Sequence, residues 1–134
     1  MQPRGIRNNN PLNIRIGSTW VGEVEKNTDG VFEQYQSMEF GIRAAFKLIK
    51  TYIRKYRRNS IRLIIQSWAP SNENNTQLYI DKVASISGIN PDVILCFEDK
   101  KRMIDIVNAM IIVENGLDVH LDTIEMGYQL AAST

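Results

Sequence analysis

Glu114 closes an apolar run that extends from Met103 to Val113, and Asn115-Gly116 follows it. Asn-Gly is a helix stop, which puts this carboxyl in the last turn of a largely buried helix. Desolvation disfavours its ionised form and the negative end of the helix dipole repels it, so both effects raise its pKa. A carboxylic acid held protonated near neutral pH is what a general acid in glycosidic cleavage requires. The competing reading is an acid at a helix end that points into water, since acids are also perturbed for structural reasons. Such chemistry also wants a second carboxylate to activate water or to steady a positive sugar ring. Glu73, Glu39 and Asp29 are the candidates. An acid at 73 would equally favour the start of a helix near Thr76.

Asn8, Asn9, Asn10 and Asn13 carry amides that can hydrogen-bond sugar hydroxyls or acetamido groups. Asparagines in such a run also hold turns through side-chain to backbone bonds. Trp20, Tyr35, Trp68 and Tyr79 can stack on sugar faces, although at these spacings most belong to a core. No Cys/His cluster suggests zinc, no Asp-rich loop suggests calcium and no Gly-rich loop suggests phosphate, so no metal or cofactor is expected. His120 reads as a surface or helix-capping residue. Cys96 stands alone in the run Val93-Ile94-Leu95-Cys96-Phe97, which excludes an internal disulfide and suggests a small core residue. A Cys96/His120 nucleophile pair is the weaker alternative.

These groups need elements to position them. Residues 1–37 show no helical period. Asn13-Ile14-Arg15-Ile16 and Gly30 to Tyr35 alternate apolar with polar as short strands do, and Gly17-Ser18 and Asn27 to Gly30 supply turns. A small twisted β lobe near the N-terminus, covered by Trp20, is expected. From residue 38 the pattern is helical. Ser37 is a candidate N-cap for a helix whose apolar face holds Ala45, Leu48, Ile49, Tyr52, Ile53 and Tyr56. A second helix begins at Asn59 or Ser60 and stops at Ala69-Pro70. A third begins at Asn75 or Thr76 and ends at Gly88. Asp99 caps the helix that leads to Glu114, and residues 121–131 form the last. The fold class is α+β, mostly α, in one domain over 1–134, with 1–37 irregular or β and 38–134 helical.

At 134 residues with 43% hydrophobic and 23% charged side chains, the chain reads as a globular domain able to bury most of its apolar surface. No apolar run is long enough for a membrane span, and the opening residues lack the apolar core of a secretory signal. The net charge of +1 hides a division. Residues 1–72 carry 12 basic and 5 acidic side chains, whereas residues 73–134 carry 4 basic and 10 acidic ones. Arg43, Lys47, Lys50, Arg54, Lys55, Arg57, Arg58 and Arg62 accumulate without an intervening acid. That stripe either faces an anionic polymer or pairs with the acidic half of the same fold. Without a stacking platform or a high pI, a specific nucleic-acid partner is not expected.

Arg4-Gly5-Ile6-Arg7-Asn8-Asn9-Asn10-Pro11-Leu12-Asn13-Ile14-Arg15 resembles the opening of a family of phage and prophage virion proteins. In that family an R-N-N-N-P-G-N-I-R-like start leads to a W-x-G, here Trp20-Val21-Gly22, and a G-I-R-A, here Gly41 to Ala44. A W-A-P-x-x-E-N-x-T-x-x-Y block follows, here Trp68 to Tyr79. Leu12 departs from the glycine expected after the proline, which bears on the turn geometry.

The chain is also similar to flagellar-type N-acetylglucosaminidases of the lysozyme-like superfamily, through Asn10 to Arg15, Trp20-Val21-Gly22, Phe32 to Ser37 and Trp68 to Lys82. The acid-bearing helix that opens those domains is missing from the N-terminus, and residues 107–116 look like it. The resemblance therefore implies a circularly permuted lysozyme-like domain with Glu114 as the acid, and Glu73, in the most specific block, as the favoured second carboxylate. It implies substrate contacts from Asn10, Asn13, Tyr35, Trp68 and Tyr79. The expected function is cleavage of peptidoglycan glycan strands, with a non-catalytic virion component as the alternative. Cell-wall glycan and other virion proteins are the expected partners, and the virion or the bacterial cytoplasm the expected location.

Overall fold

The computed structural model describes residues 2–69 and 73–134, with the side chains of Glu73 and Asn74 outside that set. Among the described residues the regular elements are all helical: α1 (Arg4–Arg7), α2 (Met38–Tyr56), α3 (Ile61–Trp68), α4 (Glu73–Ser87), α5 (Lys100–Asn115) and α6 (Leu121–Ala132). The mostly-α expectation holds. The β lobe does not form. Its two strands reduce to isolated antiparallel bridges, Arg15 with Phe32 and Glu23 with Tyr35.

The reason lies in the turn residues between the would-be strands. The Asn27 carboxamide oxygen accepts from the backbone N–H of Asp29 and Gly30, and Asp29 Oδ1 accepts from Val31 and Phe32. Side chains thus take the donors that a ladder would have used. The same acid pairs with Arg4 at 2.7 Å, tying this loop to α1. That arginine and bonds from backbone N–H and Asn8 hold the Asp29 carboxyl far below the usual range.

The helix boundaries follow local chemistry. Ser60 caps α3 by accepting from the Leu63 N–H, and Asp99 caps α5 by accepting from Arg102. Ser37 precedes α2 in extended conformation but makes no side-chain cap bond. α4 starts at Glu73, earlier than Asn75 or Thr76. His120 precedes α6, and its ring accepts from the Asp122 N–H.

α5 is buried on most sides because it packs against α4, α6, α1 and α2, which explains its nearly continuous apolar sequence. Beside it, Phe46, Phe97 and Tyr128 form a buried aromatic cluster, with the Tyr128 hydroxyl donating to the Phe97 carbonyl at 2.7 Å. Two expectations about single residues fail. Tyr56, assigned to the apolar face of α2, is 57% exposed. Cys96 is exposed too, because residues 94–97 alternate, with Leu95 and Phe97 inward and Ile94 and Cys96 outward.

The basic stripe is partly neutralised within the fold. Arg54 pairs with Glu98 and Arg62 with Asp92, both acids from the C-terminal half. No helix among the described residues is long and apolar enough to cross a membrane.

The N-terminal segment meets α2 at Gly41, where a Cβ would lie 1.8 Å from the Asn9 carbonyl oxygen. An interior helical Gly→Ala change ordinarily stabilises by roughly 0.5–1 kcal/mol. Here Gly41→Ala is expected to destabilise by about 1–3 kcal/mol, because backbone must move. Urea unfolding checks the sign: a lower midpoint at unchanged slope is the expected result, and a raised midpoint contradicts the close approach.

Candidate active site

An open cleft of about 610 Å³ runs between the N-terminal segment and the helices, lined by residues that include Asn13, Arg15, Trp20, Tyr52, Trp68 and Glu114. Its size is that of an ordinary small-ligand site. Among the described residues, Glu114 is the one carboxyl in the lining.

Glu114 lies in the last turn of α5, ahead of Gly116, whose left-handed backbone at φ 71° ends the helix. Its two oxygens have different partners. Asn13 Nδ2 donates to Oε1 at 3.1 Å, and the Tyr79 hydroxyl donates to Oε2 at 3.0 Å. Burial raises the Glu114 pKa above the ordinary value, and these two bonds pull it part of the way back. Burial also pushes the Tyr79 phenol well above its usual range, reinforced by the neighbouring Glu114 charge, so it stays a donor.

Asn13 reaches the acid because the segment carrying it is pinned from three sides. Asn115 Nδ2 donates to the Pro11 carbonyl at 2.8 Å, and Trp68 Nε1 donates to the Leu12 carbonyl at 3.2 Å. From below, the buried Asn10 amide donates to the carbonyls of Ile14 and Glu33 and its oxygen accepts from the Ile14 N–H. Asn13 itself is left-handed, φ 54°, a conformation that asparagine tolerates better than most residues. Gly5 permits the fit: a Cβ there would lie 2.8 Å from Asn115 Oδ1 and 3.2 Å from Asn13 Oδ1.

The structure therefore brings together Glu114, Asn13, Tyr79 and Trp68. Trp68 is held edge-on to Tyr52, ring centres 6.1 Å apart. Asn10 is turned into the fold, fully buried, where it builds the turn instead of facing the cleft. Tyr35 is 2% exposed and likewise does not line the cleft. Its hydroxyl has no hydrogen-bond partner among the described residues, and its pKa is driven up by burial and by the charges of Glu33 and Glu23. Glu73 lies at the start of α4 with its side chain outside the described residues. Asp29 is committed to Arg4 and its own loop, and neither it nor Glu39 lines the cleft.

Sequence reasoning missed four contributors: Asn115, Gly5, Tyr52 and Arg15. Asn115 was legible only as a helix stop, and Tyr52 only as part of an apolar face. Arg15 lay inside a resemblance block without a role of its own.

No family model matches the chain. It is similar to Protein P5 of Pseudoalteromonas phage PM2, with 41% identity over 131 residues, which cover 94% of this chain and 80% of that protein.

The raised pKa of Glu114 links to stability with a definite sign. A carboxyl whose pKa is higher folded than unfolded favours folding below its unfolded pKa, and that contribution is lost as pH rises through the folded pKa. Glu114→Gln removes this titration. Relative to wild type, the variant is expected to gain stability as pH rises from 4 to 8, measured by urea unfolding at both values. A difference that stays flat or moves the other way contradicts a buried, easily protonated Glu114.

Proposed function

We propose, starting from the fact that this chain belongs to the phage protein family that includes Protein P5 of Pseudoalteromonas phage PM2, that it cleaves glycan strands of the bacterial cell wall with Glu114 as general acid. The observation that carries the reading is a half-buried carboxyl, its pKa raised, facing an open cleft with aromatic walls. A raised pKa favours the protonated form, and transfer of that proton to the glycosidic oxygen as the C–O bond breaks lets the leaving group depart as a neutral hydroxyl instead of an alkoxide. Asn13 and Tyr79 orient the carboxyl and stabilise its negative charge after proton transfer, since both donate to it. Trp68 and Tyr52 offer flat apolar surface for a sugar ring.

The lysozyme-like reading, in permuted form, draws support from one spatial fact. Asn13 and Glu114 are 101 residues apart in sequence yet in direct contact, as they would be if an N-terminal acid-bearing helix had been moved to the far end. Glu73 is the proposed second carboxylate, to activate water on the opposite face of the ring. Virion association, with other virion proteins as partners, is proposed from membership of a phage protein family.

A second reading is a virion structural or glycan-binding protein that uses the same cleft without cleavage. It is favoured by Glu114 standing as the one carboxyl in the lining among the described residues.

Clearing of purified cell walls separates the two. Wild type is expected to clear, and Glu114→Gln to lose at least about a hundredfold in rate, the contribution of a positioned proton donor. Clearing that persists in the variant would remove Glu114 from the chemistry. Binding to cell walls without clearing by either protein would establish the second reading.

A further inference from the structure

We infer that Arg15 makes the cleft selective for anionic glycans, by pairing with a carboxylate on the substrate such as the free lactyl carboxylate of an N-acetylmuramic acid unit that carries no stem peptide. The inference deepens the glycan-cleft reading and rests on it.

Arg15 and Phe32 face each other across an isolated antiparallel bridge, where directly opposed side chains lie on one face. The Arg15 guanidinium sits 5.3 Å from the centre of the Phe32 ring, and both residues line the cleft that holds Glu114. Arg4 approaches the same ring at 4.5 Å. The two arginines differ in what neutralises them. Arg4 donates from Nε and Nη2 to both oxygens of Asp29. Arg15 has no carboxylate within ion-pair distance among the described residues.

An aromatic ring under a guanidinium restricts its rotamers and leaves the planar fork directed outward, ready for two parallel bonds to a carboxylate. Among the described residues of the lining the one competing charge is Glu114, whose burial favours its neutral form. The described cleft therefore carries one positive charge with no carboxylate partner among the described residues. A neutral glycan leaves that charge unused. A glycan bearing carboxylates at regular intervals uses it, and the spacing between Arg15 and Glu114 would then set which sugar stands at the scissile bond.

Binding tests this without requiring turnover. Glu114→Gln protein is titrated with a short peptidoglycan glycan fragment bearing free lactyl carboxylates, and with the same fragment after conversion of those carboxylates to methylamides. The anionic fragment is expected to bind roughly fivefold tighter, the range of an exposed ion pair, with an advantage that shrinks as salt rises. Adding Arg15→Gln is expected to abolish the advantage while leaving affinity for the methylamide fragment unchanged. Equal affinity for both fragments would overturn the inference while leaving cleavage through Glu114 intact, provided wild type clears cell walls. Loss of both ligands on Arg15→Gln would overturn it as well, by making the arginine a structural support. Binding of neither fragment, with no clearing by wild type, would bring down the inference and the cleavage reading together.

Discussion

The contact between Asn13 and Glu114 is the constraint on which the site depends. It joins a left-handed turn near the N-terminus to the last turn of a helix a hundred residues later. A surface turn with no regular structure of its own would ordinarily sample many conformations. This one is fixed because Pro11, Leu12 and Asn13 each engage a different side chain: Asn115, Trp68 and Glu114. Two of these come from the end of α5 and the third from the end of α3. The cleft is thus a space between helix ends and a turn, and its shape follows from where α3 and α5 stop. α3 ends at Ala69 and α5 at the left-handed Gly116.

The same arrangement sets the electrostatics. A carboxyl near a helix C-terminus and out of water is unfavourable when ionised. Two neutral donors reduce that penalty without reversing it, whereas a lysine or arginine in either position would have kept the group ionised. Arg15, the basic residue among the described cleft lining, is engaged with Phe32. Asp29 shows the opposite design in the same segment. Paired with Arg4 and bonded by backbone N–H, it stays ionised and serves the loop. The two acids are thereby separated into a structural anion and an acid whose neutral form is favoured.

Much of the helical part was legible, since it rests on local signals. The caps at Ser60 and Asp99, the stops at Gly88 and Gly116, and the apolar period of α2 are each carried by a few adjacent residues. The acid at 114 was legible for the same reason. What failed depended on competition the sequence does not display. Alternation at 13–16 and 30–35 is real, yet Asn27 and Asp29 take the backbone donors and leave two bridges in place of a sheet. Asn10 and Asn13 look alike in sequence, three residues apart in an asparagine-rich run. The fold turns one fully inward as a backbone clamp and aims the other at Glu114. Nothing short of the tertiary placement of α5 distinguishes them. Cys96 was misread because a short apolar run fits a buried helix or an extended chain equally well, and here alternation exposes it.

The site also carries costs that packing alone does not explain. Asn13 Oδ1 and Asn115 Oδ1 are both buried without a hydrogen-bond partner among the described residues, and both fill the space that a Cβ at Gly5 would need. A buried unpaired acceptor costs about 1–3 kcal/mol, and a non-glycine residue in the left-handed region adds to that. An apolar pair at positions 13 and 115 would avoid the first cost. It would also release Pro11 and leave Glu114 with one donor instead of two. The groups that carry the unpaired oxygens are the same amides whose nitrogens fix the cleft wall and orient the acid. Stability is given up beside the one carboxyl that lines the cleft among the described residues, which is the pattern expected when geometry at that carboxyl matters more than the strength of the fold around it.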